Sequence, residues 1–174
     1  MSIIKFLKGH TAYIFGSATA GRMQQVVVKV QNTGGSDLNE CSFQGLNSPM
    51  AITSGGLGFV NQQAVVVPAD NKKNRRLELI FSAYDPATGD AEEIEEFKTQ
   101  EQISTVAPWV TSYIYRTKDE GDNDYDGTTF VVTLIADSDI ASSTSSSTSS
   151  PIGSRRGSRS RSSRGPSSTG PSTT

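Results

Sequence analysis

The stretch Lys118-Asp119-Glu120-Gly121-Asp122-Asn123-Asp124-Tyr125-Asp126-Gly127 holds the residues best suited to chemistry in this chain. Five carboxylates (Asp119, Glu120, Asp122, Asp124 and Asp126) fall within eight residues, and the last three alternate. Packed together without a counter-ion, so many anions repel one another strongly. A hard divalent cation resolves the repulsion, because calcium takes about six to eight oxygen ligands in a flexible shell. Alternate residues of a coiled loop can turn their oxygens inward, and Gly121 and Gly127 permit sharp bends. Asp-x-Asp-x-Asp-Gly also opens an EF-hand loop, but the closing bidentate Glu of that motif would fall at Thr133, inside a strand pattern. The reading is therefore a calcium loop joining two strands, with Ca2+ as the expected cofactor. Magnesium fits less well, since it keeps fewer protein ligands in stricter octahedral geometry. The alternative is a solvated acidic hairpin loop with no metal, built from ordinary turn residues.

The elements that must position this loop read as strands. Gln24-Gln25-Val26-Val27-Val28-Lys29-Val30-Gln31 is β-branched and ends at the turn cluster Asn32-Thr33-Gly34-Gly35. Ala64-Val65-Val66-Val67 stops at Pro68, and Leu77, Leu79 and Phe81 alternate with Glu78, Ile80 and Ser82 before a turn over 85–90. Trp109–Tyr115 and Thr128–Ile135 flank the acidic loop, and Tyr13-Ile14-Phe15 supplies an early strand with Gly16 after it. Short runs split by Gly, Asn and Pro predict an all-β fold, an antiparallel β-sandwich of jelly-roll or Greek-key type. The segment 91–98 is open between a helical turn, with Ile94 and Phe97 on one side, and a charged edge strand.

Composition bounds the rest. The chain has 174 residues and a formal charge of −2 that hides a split: residues 1–140 hold all 18 acids and 11 bases, while 141–174 hold five arginines and no acid. The last 34 residues contain 15 serines and Ile152 as their one large apolar side chain. Such a segment buries too little apolar surface to offset chain entropy, so a folded domain over 1–140 and a disordered Ser/Arg tail over 141–174 are expected. Apolar runs fall far short of the roughly 20 residues a membrane helix needs. Charges interrupt the N-terminal apolar stretch, so no signal peptide is expected, and a cytoplasmic or non-classically exported protein follows. One cysteine, Cys41, cannot form an internal disulfide, and one histidine, His10, cannot complete a closed zinc site with it. GxSxG, P-loop and GxGxxG motifs are absent, and catalysis is not indicated.

The acidic loop and the Thr128-Thr129-Phe130-Val131-Val132 run after it resemble the C-terminal loop of the bacterial calcium-mediated fucose/mannose-binding lectins, which reads Glu-Asp-Gly-Thr-Asp-Asn-Asp-Tyr-Asn-Asp. Phe15-Gly16 before Gln24–Val28 echoes the first strands of that family. The resemblance implies a non-catalytic, calcium-dependent carbohydrate-binding module in which sugar hydroxyls coordinate the ion directly. Carried over residue by residue, it makes Asp122, Asp124 and Asp126 ligands, with Asp119 at the family's leading Glu and Asp119 or Glu120 completing the shell. This chain departs from the family where Gly127 replaces its last loop Asp, where one loop residue is missing before Asp122, and where Ser17–Gly21 offers no Asn ligand. It also continues past the glycine at which the family ends. Calcium binding survives these losses better than sugar binding, and one ion fits better than two.

A different class of function rests on the tail. Arg155, Arg156, Arg159, Arg161 and Arg164 would attract phosphate backbones in a salt-dependent, non-specific way, since no aromatic is interleaved for stacking. In that reading the chain is a structural or assembly protein, such as a small viral coat or movement-type β domain, and Ser158, Ser160 or Ser162 would switch it on phosphorylation. The plain alternative is an exposed linker. Lys72, Lys73, Arg75 and Arg76 form a second basic cluster, read as a solvated turn that could extend the same footprint. Cys41 reads as a small buried hydrophobe, His10 as a surface or capping residue, and Trp109 as core or a strand-edge anchor, with sugar stacking as the alternative. A self-complementary sheet edge would make a homo-oligomer.

Overall fold

Val26, Val28 and Val30 are fully buried while Val27 and Lys29 between them are only half-buried, so this run has one face in a core and one turned outward. The computed structural model describes residues 1–137 apart from 57, 86, 89, 96, 105, 106 and 119–123. In chain order its strands are β1 (Ser2–Phe6), β2 (His10–Ala18), β3 (Met23–Asn32), β4 (Asp37–Gly45), β5 (Ser48–Pro49), β6 (Ala51–Gly55), β7 (Gly58–Asn61), β8 (Ala64–Val67), β9 (Arg75–Tyr84), β10 (Ala91–Glu93), β11 (Phe97–Ile103), β12 (Val110–Thr117) and β13 (Thr128–Ala136). They make two antiparallel sheets, and no helix occurs among the described residues. The first runs β1-β9-β3-β4-β6, with β10 also on β9; the second runs β11-β12-β13-β2-β8-β7, with β5 against the end of β2.

The inner faces of the two sheets meet over an aromatic core. Phe130 of the second sheet stands edge-on to Phe43 and Phe81 of the first, at centroid distances of 5.2 and 6.0 Å. Tyr115 and Phe97 extend the cluster around Phe81. Such edge-to-face pairs add about 0.5–1.5 kcal/mol each beyond area burial. Phe130 fits because its cross-strand neighbour on β2 is Gly16: a Cβ there would collide with the Phe130 ring and lie 3.1 Å from the Met50 sulfur.

The expected all-β antiparallel sandwich is present, and the strands read at 24–31, 64–67 and 128–135 fall within β3, β8 and β13. Gly35 adopts φ 92° in the turn that closes β3 onto β4, where its N–H donates to the Asn32 carbonyl at 3.1 Å. Several local expectations are corrected. Gly16 lies inside β2 rather than after it, because its missing side chain is what admits Phe130. The helical option for 91–98 is wrong. β1 stops pairing at Leu79, which leaves the β9 edge free for Ala91–Glu93 to pair with Ser82–Tyr84, and Ile94 N–H then donates to the Phe81 carbonyl. Trp109 is not core: its side chain is 43% exposed, and only its backbone anchors the sheet end, through its carbonyl and Ala136 N–H at 2.9 Å. Cys41 is buried as expected. His10 caps a turn, its Nδ1–H donating to the Lys8 carbonyl at 3.1 Å.

Candidate functional site

The acidic loop is the connection of the β12–β13 hairpin, whose register runs through Thr117 opposite Thr128. Gly127 N–H donates to the Thr117 carbonyl at 3.1 Å and closes the base of the loop. β13 also pairs on its other side with β2, with Thr128 opposite Ala18, so the residues just past β2 arrive beside the loop. There the Gly127 carbonyl accepts from the N–H groups of Thr19 and Ala20 at 3.0 and 3.3 Å, and the Asp126 carbonyl accepts from the Thr19 hydroxyl. The C-terminal half of the acidic loop is thus tied by its backbone to the β2–β3 connection. Gly127 is buried, with both its N–H and its carbonyl engaged in these bonds.

Of the sequence-predicted ligands, the structure brings Asp124 and Asp126 to this end of the sandwich, both with exposed side chains. Asp119, Glu120 and Asp122 lie outside the described residues, as do Arg155, Arg156, Arg159, Arg161 and Arg164 of the tail. Tyr125, between the two placed aspartates, is half-buried beneath Lys98, whose Nζ stands 3.9 Å from the ring centroid. A cation over an aromatic face is worth about 0.5–1 kcal/mol at such a site. It pins the middle residue of the Asp124-Tyr125-Asp126 triplet while its neighbours face solvent.

The loop rests on a buried polar floor that sequence reasoning missed. Gln24, Thr117 and Thr128 are 1%, 0% and 1% exposed. The Thr128 hydroxyl donates to Gln24 Oε1 at 3.3 Å, and Gln24 Nε2 donates to the Arg22 carbonyl at 3.3 Å. The Thr117 hydroxyl has no hydrogen-bond partner among the described residues. Thr19 was missed as well, because its contact with Asp126 spans 107 positions of sequence and exists only through the β2–β13 pairing.

Tested against a calcium shell, the donor set is chemically apt, since the described part of the loop offers carboxylate and carbonyl oxygens. Among the described residues no three His, Cys, Asp or Glu side chains come together as a metal group, so the described part of the loop contributes two carboxylates. The other acids of the motif are its undescribed first half.

Two other sequence-level candidates change character. Trp109 stands at the start of β12, at the opposite end from the acidic loop, and cannot be a stacking platform for a ligand held there. The 72–76 basic cluster is structural in part. Asp70 Oδ1 accepts from the N–H groups of Lys72 and Lys73 at 2.8 and 3.1 Å, bonds that hold its carboxyl below the usual range. Arg75 lies 4.4 Å over the Phe6 ring and donates to the Pro68 carbonyl, while Arg76 donates to Gln31.

No family model matches the chain, and no curated protein matches it in sequence. Several solved structures are similar in fold. The C-terminal domain of the BC2L-C lectin from Burkholderia cenocepacia has a TM-score of 0.48 at 12% identity, over 75% of this chain and 92% of that one. The high-affinity mannose-binding lectin of Ralstonia solanacearum has a TM-score of 0.43 at 14% identity, over 75% and 93%. Chromobacterium violaceum lectin CV2L, in complex with α-methyl-fucoside, has a TM-score of 0.43 at 12% identity, also over 75% and 93%. The chain itself is an antiparallel β-sandwich with an acidic hairpin loop at one end.

Proposed function

We propose that the chain is a calcium-dependent binding module, with carbohydrate as its ligand class. The observation that carries the reading is the backbone tie at Asp126-Gly127. It fixes the Asp126-Gly127 end of the loop beside the β2–β3 connection, with Asp124 and Asp126 exposed. Asp122, Asp124 and Asp126 would hold the ion, and Asp119 or Glu120 would complete the protein's share of the shell. A calcium ion with six to eight positions, roughly, keeps some for outside oxygens, and a vicinal diol fills two of them at once. The ligand class follows from the resemblance of the loop sequence, and the metal from the chemistry of its donors.

Calorimetric titration of calcium into the full chain, beside an Asp124→Asn, Asp126→Asn double variant, tests the metal. Saturable heat in the wild type and its loss in the variant are expected, followed by retention on mannose- and fucose-bearing resin that a chelator abolishes. Absence of heat at millimolar calcium would overturn the reading. Calcium heat without chelator-sensitive sugar retention would keep the metal and remove the carbohydrate.

A further inference from the structure

The two ends of the sandwich differ in charge. One carries the acidic loop, with Asp124 and Asp126 exposed. At the other, four connections are laced together by hydrogen bonds. Gly9, in the turn between β1 and β2, donates its N–H to the Asp70 carbonyl at 2.9 Å, and its own carbonyl accepts from Asp137 N–H at 2.7 Å. Lys8 N–H donates to Asn74 Oδ1 at 2.9 Å, and the Trp109 carbonyl accepts from Ala136 N–H. The β1–β2 turn, the 68–74 connection, the residue before β12 and the chain leaving β13 therefore share one surface. Lys8, Lys72 and Lys73 are exposed on it, and Arg75 is fixed beside them over Phe6 and on the Pro68 carbonyl. The acids described there are two half-buried residues, Asp70 and Asp137, and Asp70 Oδ1 is occupied by the N–H groups of Lys72 and Lys73. Asp37, at the start of β4, is held by Lys29 and Gln31. Two large apolar side chains stand out of the same end, Leu7 at 50% and Trp109 at 43% exposed.

We infer that this end docks on the headgroup layer of an anionic lipid bilayer. Lysines on exposed turns meet lipid phosphates and carboxylates, and each adds about five-fold to affinity at such a surface. Tryptophan is enriched at the membrane–water interface because its ring is apolar and its N–H is polar, and a leucine beside it adds buried apolar area. The pairing of cations with apolar tips is what selects the bilayer. A nucleic-acid duplex would use the lysines and leave Leu7 in water. Leu7 and Trp109 also precede different strands, β2 and β12, which lie on either side of β13, so they form no single apolar patch for a protein groove. The acidic loop, at the far end, is repelled by the same surface and so turns outward when the molecule is docked. This docking does not rest on calcium in that loop.

Trp109 is the chain's one tryptophan, so its emission reports on this end alone. Mixed phosphatidylserine–phosphatidylcholine vesicles are titrated into the full chain with chelator present, which removes calcium bridging. Binding with a blue shift of Trp109 is expected, weakened by salt and absent with pure phosphatidylcholine. The triple variant Lys8→Gln, Lys72→Gln, Lys73→Gln should bind on the order of 100-fold more weakly, and Leu7→Ser about five-fold. All these positions are exposed, and circular dichroism checks that each variant folds. Replacing the five tail arginines by Gln in the full chain separates their charge from that of the lysines, and the blue shift should survive it. Failure to bind the anionic vesicles overturns the inference, as does binding that leaves Trp109 emission unchanged. Binding lost with the tail arginines and kept in the lysine variant overturns it too. Salt-sensitive quenching by duplex DNA without vesicle binding would give the surface to nucleic acid instead.

Discussion

Thr117 and Thr128 face each other across the β12–β13 pair under the acidic loop, and the structure predicts opposite outcomes for the same substitution in each. Both are buried. Thr128 donates to Gln24, whereas the Thr117 hydroxyl has no partner among the described residues. Threonine to valine keeps the β-branch that suits a strand and exchanges a hydroxyl for a methyl group. At Thr117 it removes a buried unsatisfied group, which costs about 1–3 kcal/mol, and adds a buried methyl of about 0.8 kcal/mol. Allowing for relaxation around the site, Thr117→Val should stabilise the domain by about 1–2 kcal/mol. Thr128→Val breaks the bond to Gln24 and leaves its Oε1 short of a donor, a loss of about 1–2 kcal/mol. In a domain of this size 1 kcal/mol moves Tm by about 3–5 °C, so the two variants, about 2–4 kcal/mol apart, should melt roughly 6–20 °C apart. Scanning calorimetry in the presence of chelator reads this directly. If Thr117→Val melts below the wild type, its hydroxyl has a partner in the loop, and the account of the floor fails. If the two variants shift together, hydrogen bonding to Gln24 is not what distinguishes them.

Two further outcomes follow from the core. Gly16→Ala should destabilise the fold by about 1–3 kcal/mol, since the new methyl group meets the Phe130 ring and the Met50 sulfur in a filled space; urea unfolding measures it. The Cys41 thiol is pushed up to about 12 from an ordinary 9.0, first by burial and then by the neighbouring Glu40 carboxylate. Above about pH 9 the unfolded chain gives up this proton while the folded chain keeps it. The associated stability is therefore intact below about pH 9 and lost as pH climbs toward about 12, at up to 1.4 kcal/mol per unit, roughly. Unfolding free energies at pH 8 and 10.5 should fall less in Cys41→Val than in the wild type, and equal falls in both would contradict the assignment.

Strands with strict alternation or a valine run were legible because burial on one face imposes period two on sequence. β13 carries that signature along its whole length, and β3 and β9 carry it through most of theirs, from Met23 to Val30 and from Leu77 to Phe81. Elements without it were missed. β1 reads Ser-Ile-Ile-Lys-Phe, and only Ile4 and Phe6 point inward. β4 is exposed over its first four residues, Leu38 included, and it turns inward only at Cys41. β6 pairs with β4 through a register shift at Ser42/Phe43 and ends on Gly55 at φ 123°. In these strands the ladder of a neighbour, rather than any local pattern, sets the conformation. The segment 91–98 was open between a helical turn and a charged edge strand, and an open stretch of β9 decides for the strand at Ala91–Glu93.

The acidic loop was the clearest feature of the sequence, yet what holds it was the least visible. Its five carboxylates fall within eight consecutive residues, so the sequence alone exposes them. Its support comes from Thr19 and Ala20 at the end of β2, from Gln24 at the start of β3 and from Lys98 on β11, elements separated from the loop by up to about a hundred residues. They converge because β13 is a shared strand: β12 on one side makes the hairpin and β2 on the other delivers the clamp. Slipping β13 by one residue against β2 would turn Phe130 out of the core and carry Gly127 away from Thr19. The contact of Phe130 with Gly16 that locks the core therefore also fixes the register that positions the loop. Core packing and site geometry are one constraint here, and a Gly16 substitution that lets β2 slip should loosen the loop before it unfolds the domain.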